Sequence, residues 1–207
     1  MSEGRSVPRL VLISGATGVG KTTLATSVAH SLGISRIAST DTIREVMRAT
    51  STSEDPALAR SSYGRGEIGD AVTDWEDASR AVEAGIEAVI SRARQQGVDL
   101  ILEGVHIIPS RKHLSAWEQA GGAAVGVVVK IEDESTHRDR IESREANTWR
   151  GAERYRIGFE RIRAIQRAIE ERGSGGEWKV VDTRIHNDGL GMITHWLDAA
   201  WYTANSR

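Results

Sequence analysis

The chain contains no cysteine, and only Lys21, Lys112, Lys130 and Lys179 are lysines. The first absence excludes disulfides, thiol nucleophiles and zinc sites built on thiolates. The second leaves arginine as the dominant cation, suited to forked contacts with phosphate and carboxylate. No charge of one sign prevails: the formal net charge is −2, which argues against a dedicated nucleic-acid binder. No apolar run is long enough to cross a bilayer, and the first apolar stretch is too short for a signal peptide. Internal repeats and low-complexity tracts are missing too. These absences leave a cytoplasmic protein as the expectation, with no nucleic-acid or membrane partner, and 207 residues suggest one domain over 1–207. Composition leaves the oligomeric state open.

What is present is a glycine loop. Gly15, Ala16, Thr17, Gly18, Val19, Gly20, Lys21 and Thr22 match G-x-x-x-x-G-K-[ST] at every fixed position, directly after the apolar run Leu10-Val11-Leu12-Ile13. Glycines let the backbone curl so that successive N–H groups face phosphate oxygens, and the following helix adds its positive end. Lys21 can reach the β- and γ-phosphates, and the Thr22 hydroxyl can hold Mg²⁺. Thr23 stands next to them at the helix start. Leu24, Val28, Ala29 and Leu32 fall at helical spacing, with Gly33 as the C-cap. A nucleoside triphosphate is therefore the expected ligand.

Strand-like runs at Leu10–Ser14, Ser35–Ser39, Asp99–Glu103, Ala124–Ile131 and Trp178–Asp182 alternate with helical patterns, which predicts an α/β fold with a parallel sheet. Helices are expected over Thr42–Ala49, Trp75–Gln96, Ser110–Ala120, Glu134–Arg144 and Trp149–Arg172, and from an Asp188 N-cap onward. Residues 51–69, including Ser53-Glu54-Asp55-Pro56 and Ser61-Ser62-Tyr63-Gly64-Arg65-Gly66, read as a long irregular loop of the kind that binds an acceptor.

Three further groups carry chemistry. Asp41 follows the second strand, where ligands of open α/β sheets collect, and can orient an attacking hydroxyl as base; Arg44, one turn on, can hold an anionic acceptor. Asp41 acting merely as a helix cap is the plainer alternative. Glu103 ends an apolar strand, the place of an acid that polarises Mg²⁺-bound water, and Gly104 allows close backbone approach to a ligand. His106 is left open between anion binding, acid–base work and a structural partner. Ten arginines stand against seven acids between Arg138 and Arg172. Most make a solvated helix face, but Arg140 and Arg144, at i,i+4 spacing, are expected in a mobile arginine-rich lid over 138–156 that neutralises charge in transfer. Thr183, beyond the last strand, marks the place of the nucleotide base.

In order, the phosphate loop, S-T-D-T-I-R-E-V-M-R, S-S-Y, I-L-E-G-V-H-I-I-P and Tyr155…Phe159…Ile162-Arg163…Ile165-Gln166 resemble the 2-phosphoglycerate kinase family of P-loop kinases. The resemblance runs from Leu10 to about Asp182. It implies a P-loop kinase-type fold whose five-stranded parallel sheet has the order 2-3-1-4-5, with ATP and Mg²⁺. It implies transfer of the γ-phosphoryl group to the 3-hydroxyl of 2-phosphoglycerate. Archaeal members carry an additional N-terminal region, so the chain reads as the kinase core alone. The expected function is a small-molecule kinase for an acidic acceptor, with Lys21, Asp41, Arg140 and Arg144 catalytic. Asp41, Arg44, Arg65, Glu103, Gly104 and His106 are expected at the acceptor, and Thr22 and Glu103 at the metal. A kinase for a nucleoside or other neutral alcohol is the alternative. A nucleotide-dependent switch is a third reading, disfavoured because no N-K-x-D occurs and D-x-x-G appears only at Asp188–Gly191.

Overall fold

A computed structural model describes residues 7–52, 55–146, 153–185 and 188–206. Strands β1 (Arg9–Ser14), β2 (Ile37–Ser39), β3 (Leu100–Gly104), β4 (Ala123–Lys130) and β5 (Lys179–Asp182) form one sheet among the described residues, ordered β2-β3-β1-β4-β5. Every pairing is parallel. This is the order that the family resemblance implies. Helices α1 (Lys21–Leu32), α2 (Thr40–Thr50), α3 (Pro56–Ala59), α4 (Ala71–Gln96), α5 (Lys112–Gln119), α6 (Glu134–Ala146), α7 (Glu153–Ile157), α8 (Phe159–Gly175) and α9 (Gly189–Asn205) flank it.

The central strands are apolar because both their faces are covered. Leu10, Leu12, Ile13, Ile101, Leu102, Val127 and Val129 are fully buried. Each such side chain contributes about 1.5–3 kcal/mol over an exposed one. Helix α4 lays Ala78, Val82, Ile86 and Ile90 on this core, and α9 adds Ile193 and Leu197. No helix among the described residues is long and apolar enough to cross a membrane.

Register places the functional ends together. Ser14 pairs with Gly104, while Ile13 and Ser39 both pair with Glu103, so three strands end at one rim. Beyond it Trp75 Nε1 donates to the Val105 carbonyl (2.7 Å) and Ser14 Oγ to the Ile107 carbonyl (2.7 Å). These two bonds fix the segment that follows β3.

Several boundaries differ from the sequence reading. Helix α4 starts at Ala71, four residues before Trp75, because the Asp70 N-cap carboxylate accepts from the Val72 and Thr73 N–H groups. The long helix expected over Trp149–Arg172 is two: Gly158 separates α7 from α8. The Tyr63 ring lies where a Cβ on Gly158 would stand, 2.8 Å from it, so the break admits an aromatic from another element. Trp149 and Arg150 lie outside the described residues, as do Ser53 and Glu54. The 51–69 stretch contains the single turn α3, started by Asp55 accepting from the Ala57 N–H, and buries Leu58 and Tyr63.

Candidate active site

The phosphate loop leaves β1 at Ser14 and enters α1 at Lys21. Gly18 (φ 88°) and Gly20 (φ 97°) adopt left-handed backbone, a conformation that side chains disfavour. Gly15 serves a different end: a Cβ there would lie 2.4 Å from the Val129 carbonyl. Ala16 and Val19 are fully buried and anchor the loop to the core. Lys21 Nζ donates to the Ala16 carbonyl (2.8 Å), folding the ammonium over the loop. Burial lowers its pKa, opposed by the nearby Glu103 and Asp41 carboxylates.

Two cavities meet at this loop. The first, about 740 Å³, runs past Gly18, Gly20, Thr23, Arg140 and Thr183. The second, about 570 Å³, lies between the loop, the start of α2, the 61–63 segment and α7. Lys21, Thr22 and Arg144 line both. A group lying across the junction would touch all three.

In the first cavity Arg140 donates to the Thr183 hydroxyl (2.6 Å) and carbonyl (3.1 Å), and the Thr183 hydroxyl donates to the Val19 carbonyl (3.1 Å). Thr183 thus clamps the phosphate loop to the end of β5. At the junction Thr22 Oγ1 donates to Glu103 Oε1 (3.0 Å). A hydroxyl and a buried carboxylate converging there form the hard oxygen pair that Mg²⁺ prefers, so these residues fit that ion.

In the second cavity Asp41 does not cap α2. Ser39 does, accepting from the Asp41 N–H (3.3 Å), so the Asp41 side chain stays 73% exposed on the cavity wall. His106 is buried behind it. Its Nδ1 stands 3.1 Å from Thr40 Oγ1 and 3.6 Å from Asp41 Oδ1, while Nε2 has no partner among the described residues. Two oxygens facing Nδ1 favour a proton there. Burial pushes the His106 pKa down to about 4, so the ring is neutral at pH 7. Its contacts are with Thr40 and Asp41, behind the cavity wall.

The remaining residues fall in different places. Gly104 (φ 155°) admits Thr40 rather than a ligand: a Cβ would lie 1.7 Å from Thr40 Oγ1. Arg44 lines the second cavity, yet its terminal amino groups go to the Arg60 carbonyl (2.6 Å) and Glu45 (2.6 Å). Arg65 is outside the cavity lining, with its guanidinium packed on Gly69.

Sequence reading missed the supports. Arg161 donates to the Tyr63, Gly64 and Gly69 carbonyls and to the buried Asp74 carboxylate (2.7 Å), which also accepts from the Gly66 N–H (2.8 Å). One guanidinium thereby orders the 63–69 segment. His137 Nε2 donates to the Thr17 carbonyl of the phosphate loop (2.7 Å), with Arg163 behind its Nδ1 at 3.4 Å. Burial again brings the imidazole down to about 4. His137 has no motif around it; its only signal in the sequence is a histidine one helical turn before Arg140 and Ile141.

A strand, a glycine loop closed by Lys-Thr and a 2-3-1-4-5 sheet define a P-loop protein of the kinase type. The chain belongs to the AAA domain family, which matches residues 10–171. It is similar to the 2-phosphoglycerate kinase of Methanopyrus kandleri, with 36% identity over 94% of this chain and 62% of that protein. The 2-phosphoglycerate kinase of Methanothermobacter thermautotrophicus is 37% identical over 79% of this chain and 56% of its own length. The chain thus spans about six-tenths of the length of these curated relatives. Among solved structures, a sugar kinase from Janibacter sp. superposes with a TM-score of 0.53 at 18% identity, covering 95% of this chain and 98% of that one. Shikimate kinase from Aquifex aeolicus gives 0.51 at 14%, covering 91% and 96%. At such identities these two speak for the fold alone.

Proposed function

We propose that the chain is an ATP- and Mg²⁺-dependent small-molecule kinase that phosphorylates a hydroxyl of a small acidic metabolite such as 2-phosphoglycerate. The observation that carries this reading is the junction: two cavities meet at the phosphate loop and share Lys21, Thr22 and Arg144. The similarity to 2-phosphoglycerate kinases supports it. The acceptor cavity is lined by four cations, Lys21, Arg44, Arg144 and Arg154, against the carboxylates Asp41 and Glu103. That excess favours an anionic acceptor.

In this mechanism ATP lies along the phosphate loop with its base toward Thr183, and the acceptor lies between Asp41 and α7. Thr22 and Glu103 would hold Mg²⁺, which supplies charge neutralisation between the phosphates when bound. Asp41 orients the acceptor hydroxyl and takes its proton as the new oxygen–phosphorus bond forms and the bond to the leaving β-phosphate oxygen breaks. His106 stands behind Asp41 as a neutral ring beside the Thr40 hydroxyl and contributes no charge of its own. Lys21, Arg140 and Arg144 offset the negative charge on the transferring group. Arg140 and Arg144 belong to α6, so the lid reading places their contribution on closure of that helix over the triphosphate.

The test is a screen of purified protein with ATP and Mg²⁺ over 2-phosphoglycerate, related hydroxy acids, nucleosides and neutral polyols, read by mass spectrometry. The expected product is the acceptor acid carrying one added phosphoryl group, which for 2-phosphoglycerate is 2,3-bisphosphoglycerate, and it is absent in Lys21→Ala. Transfer to nucleosides alone would replace the acidic acceptor with a neutral one. Acceptor-independent hydrolysis with no phosphorylated product would remove the kinase reading.

A further inference from the structure

We propose that His137 is a positioning residue for the nucleotide: from α6, outside the loop motif, it aims the Gly18 N–H of the phosphate loop at the phosphates. This rests on the reading of that loop as the nucleotide site.

A trans peptide holds its carbonyl and the following N–H on opposite sides of one plane, so whatever fixes the carbonyl also aims the N–H. Side chains from two distant elements fix two carbonyls of the loop. His137, on α6, donates from Nε2 to the Thr17 carbonyl at 2.7 Å. Thr183, just past β5, donates from its hydroxyl to the Val19 carbonyl at 3.1 Å. The two peptides held in this way carry the Gly18 and Gly20 N–H groups. Both glycines have left-handed backbone, and both line the nucleotide cavity. Backbone N–H groups aimed to one side make the concavity that binds an anion.

The His137 ring is built for this bond. A guanidinium can only donate, and Arg163 Nη1 stands 3.4 Å from Nδ1, so Nδ1 accepts and the proton sits on Nε2. A carbonyl can only accept, so the Thr17 contact requires the same tautomer. Arg163 is fixed in turn by the carbonyls of Ile131 (2.6 Å) and Glu132 (2.9 Å), just after β4. The Phe159 ring packs on the imidazole at 64°, with centroids 5.6 Å apart. His137 is fully buried, and burial keeps the ring neutral at pH 7, so that Nδ1 can accept. One turn on, Ile141 Cγ1 lies 2.4 Å from where a Cβ on Gly18 would stand. Helix α6 is thus seated on the loop at Thr17 and Gly18 together. The helix that carries Arg140 and Arg144 is thereby tied to the peptide that it aims.

The experiment measures binding of ATP and of inorganic tripolyphosphate, each with Mg²⁺, by calorimetry on wild type, His137→Leu and His137→Gln, with melting temperatures as a folding control. Leucine keeps bulk and removes the donor, whereas glutamine keeps an N–H near the place of Nε2. His137→Leu should weaken both ligands by roughly 10- to 100-fold, the misalignment of one hydrogen bond to a charged group. The two losses should agree, because the base takes no part. His137→Gln should bind both ligands within about threefold of wild type, since the donor is kept. In steady-state transfer His137→Leu should raise the ATP KM by the same factor and leave the acceptor KM within about threefold. A further measurement needs no variant to fold: ¹⁵N NMR of wild type at pH 7 should show His137 protonated at Nε2 alone. Wild-type affinity in a folded His137→Leu, equal losses in the leucine and glutamine variants, or a proton on Nδ1 would each overturn the assignment. A wild type that binds ATP but phosphorylates no acceptor would remove the kinase reading and leave His137 in its role. A wild type that binds neither ATP nor tripolyphosphate would remove both.

Discussion

The Thr22 hydroxyl donates to Glu103 Oε1 across 3.0 Å, joining the last residue of the phosphate-loop motif to the penultimate residue of β3. These residues are 81 positions apart in the chain. The sheet order brings them together, because β3 lies directly beside β1. If this pair holds Mg²⁺, replacing the carboxylate by its neutral isostere weakens the metal and leaves the nucleotide cradle standing. Glu103→Gln should therefore raise the Mg²⁺ concentration needed for half-maximal transfer by roughly 10- to 100-fold. A Mg²⁺ titration at saturating ATP checks it, and an unchanged midpoint would take Glu103 out of the metal site.

Asp41 stands on the wall of the second cavity with its side chain largely exposed, and Ser39 does the capping. The proposed base can thus be removed without removing a cap. Asp41→Asn should lower kcat by about 10²- to 10⁴-fold while shifting the melting temperature little. A comparable fall in thermal stability would mean that the carboxylate is structural.

His106 and His137 are both buried and neutral, each with a pKa near 4 against an unfolded value near 6.5. In the unfolded chain both take up protons as pH falls through about 6.5, and in the folded chain only near 4. Folding stability is therefore full above about pH 6.5 and declines as the pH drops toward 4. The loss is on the order of 2–3 kcal/mol for each histidine, at about 1.4 kcal/mol per unit. Urea unfolding at pH 7.5 and pH 5 measures it, and His137→Gln should flatten the slope.

Asp74 and Arg161 hold the 63–69 segment from beneath, with Asp74 1% exposed. Asp74→Ala leaves a cation facing an apolar gap and frees the Gly66 N–H. Removing one partner of such a pair costs about 3 kcal/mol, a fall of several degrees in melting temperature for a chain of this size. The same variant should raise the acceptor KM, because Tyr63 sits in the loop that Arg161 ties down. Calorimetry together with acceptor kinetics reads both effects.

Gly104 pairs with Ser14 at the rim, and a Cβ there would overlap Thr40. Gly104→Ala should destabilise by about 1–3 kcal/mol and move the start of α2, where Asp41 is carried. Thermal denaturation checks the first effect and kcat the second. Wild-type values for both would show that the β3–α2 contact is loose.

Much of the molecule is local in origin and could be read along the chain. The run before Gly15, the glycine loop, Lys21 and Thr22 depend on near neighbours, and so do the strand positions and the Asp188 cap. Their physics is periodicity, φ freedom and side-chain reach over a few residues. Other features depend on which distant residue occupies a neighbouring volume. Gly158 separates α7 from α8 in a pattern that looks continuous from Tyr155 to Ile169, and the ring it makes room for belongs to Tyr63, 95 positions away in the chain. Arg161 and Arg163 sit in the same arginine-dense stretch as their solvated neighbours, and His137 directly precedes it. Only packing turns Arg163 onto the Ile131 carbonyl, His137 onto Thr17 and Arg161 onto the 63–69 backbone. Arg44 and Arg65 had the right charge for an anion site, yet carbonyls, Glu45 and Gly69 take up their guanidinium groups. The sequence alone thus determined the phosphate-binding loop and the α/β alternation, because short-range geometry suffices for them. Which arginines line the second cavity was decided by tertiary structure alone, because a guanidinium's direction is set by the acceptors and rings that the fold brings to it.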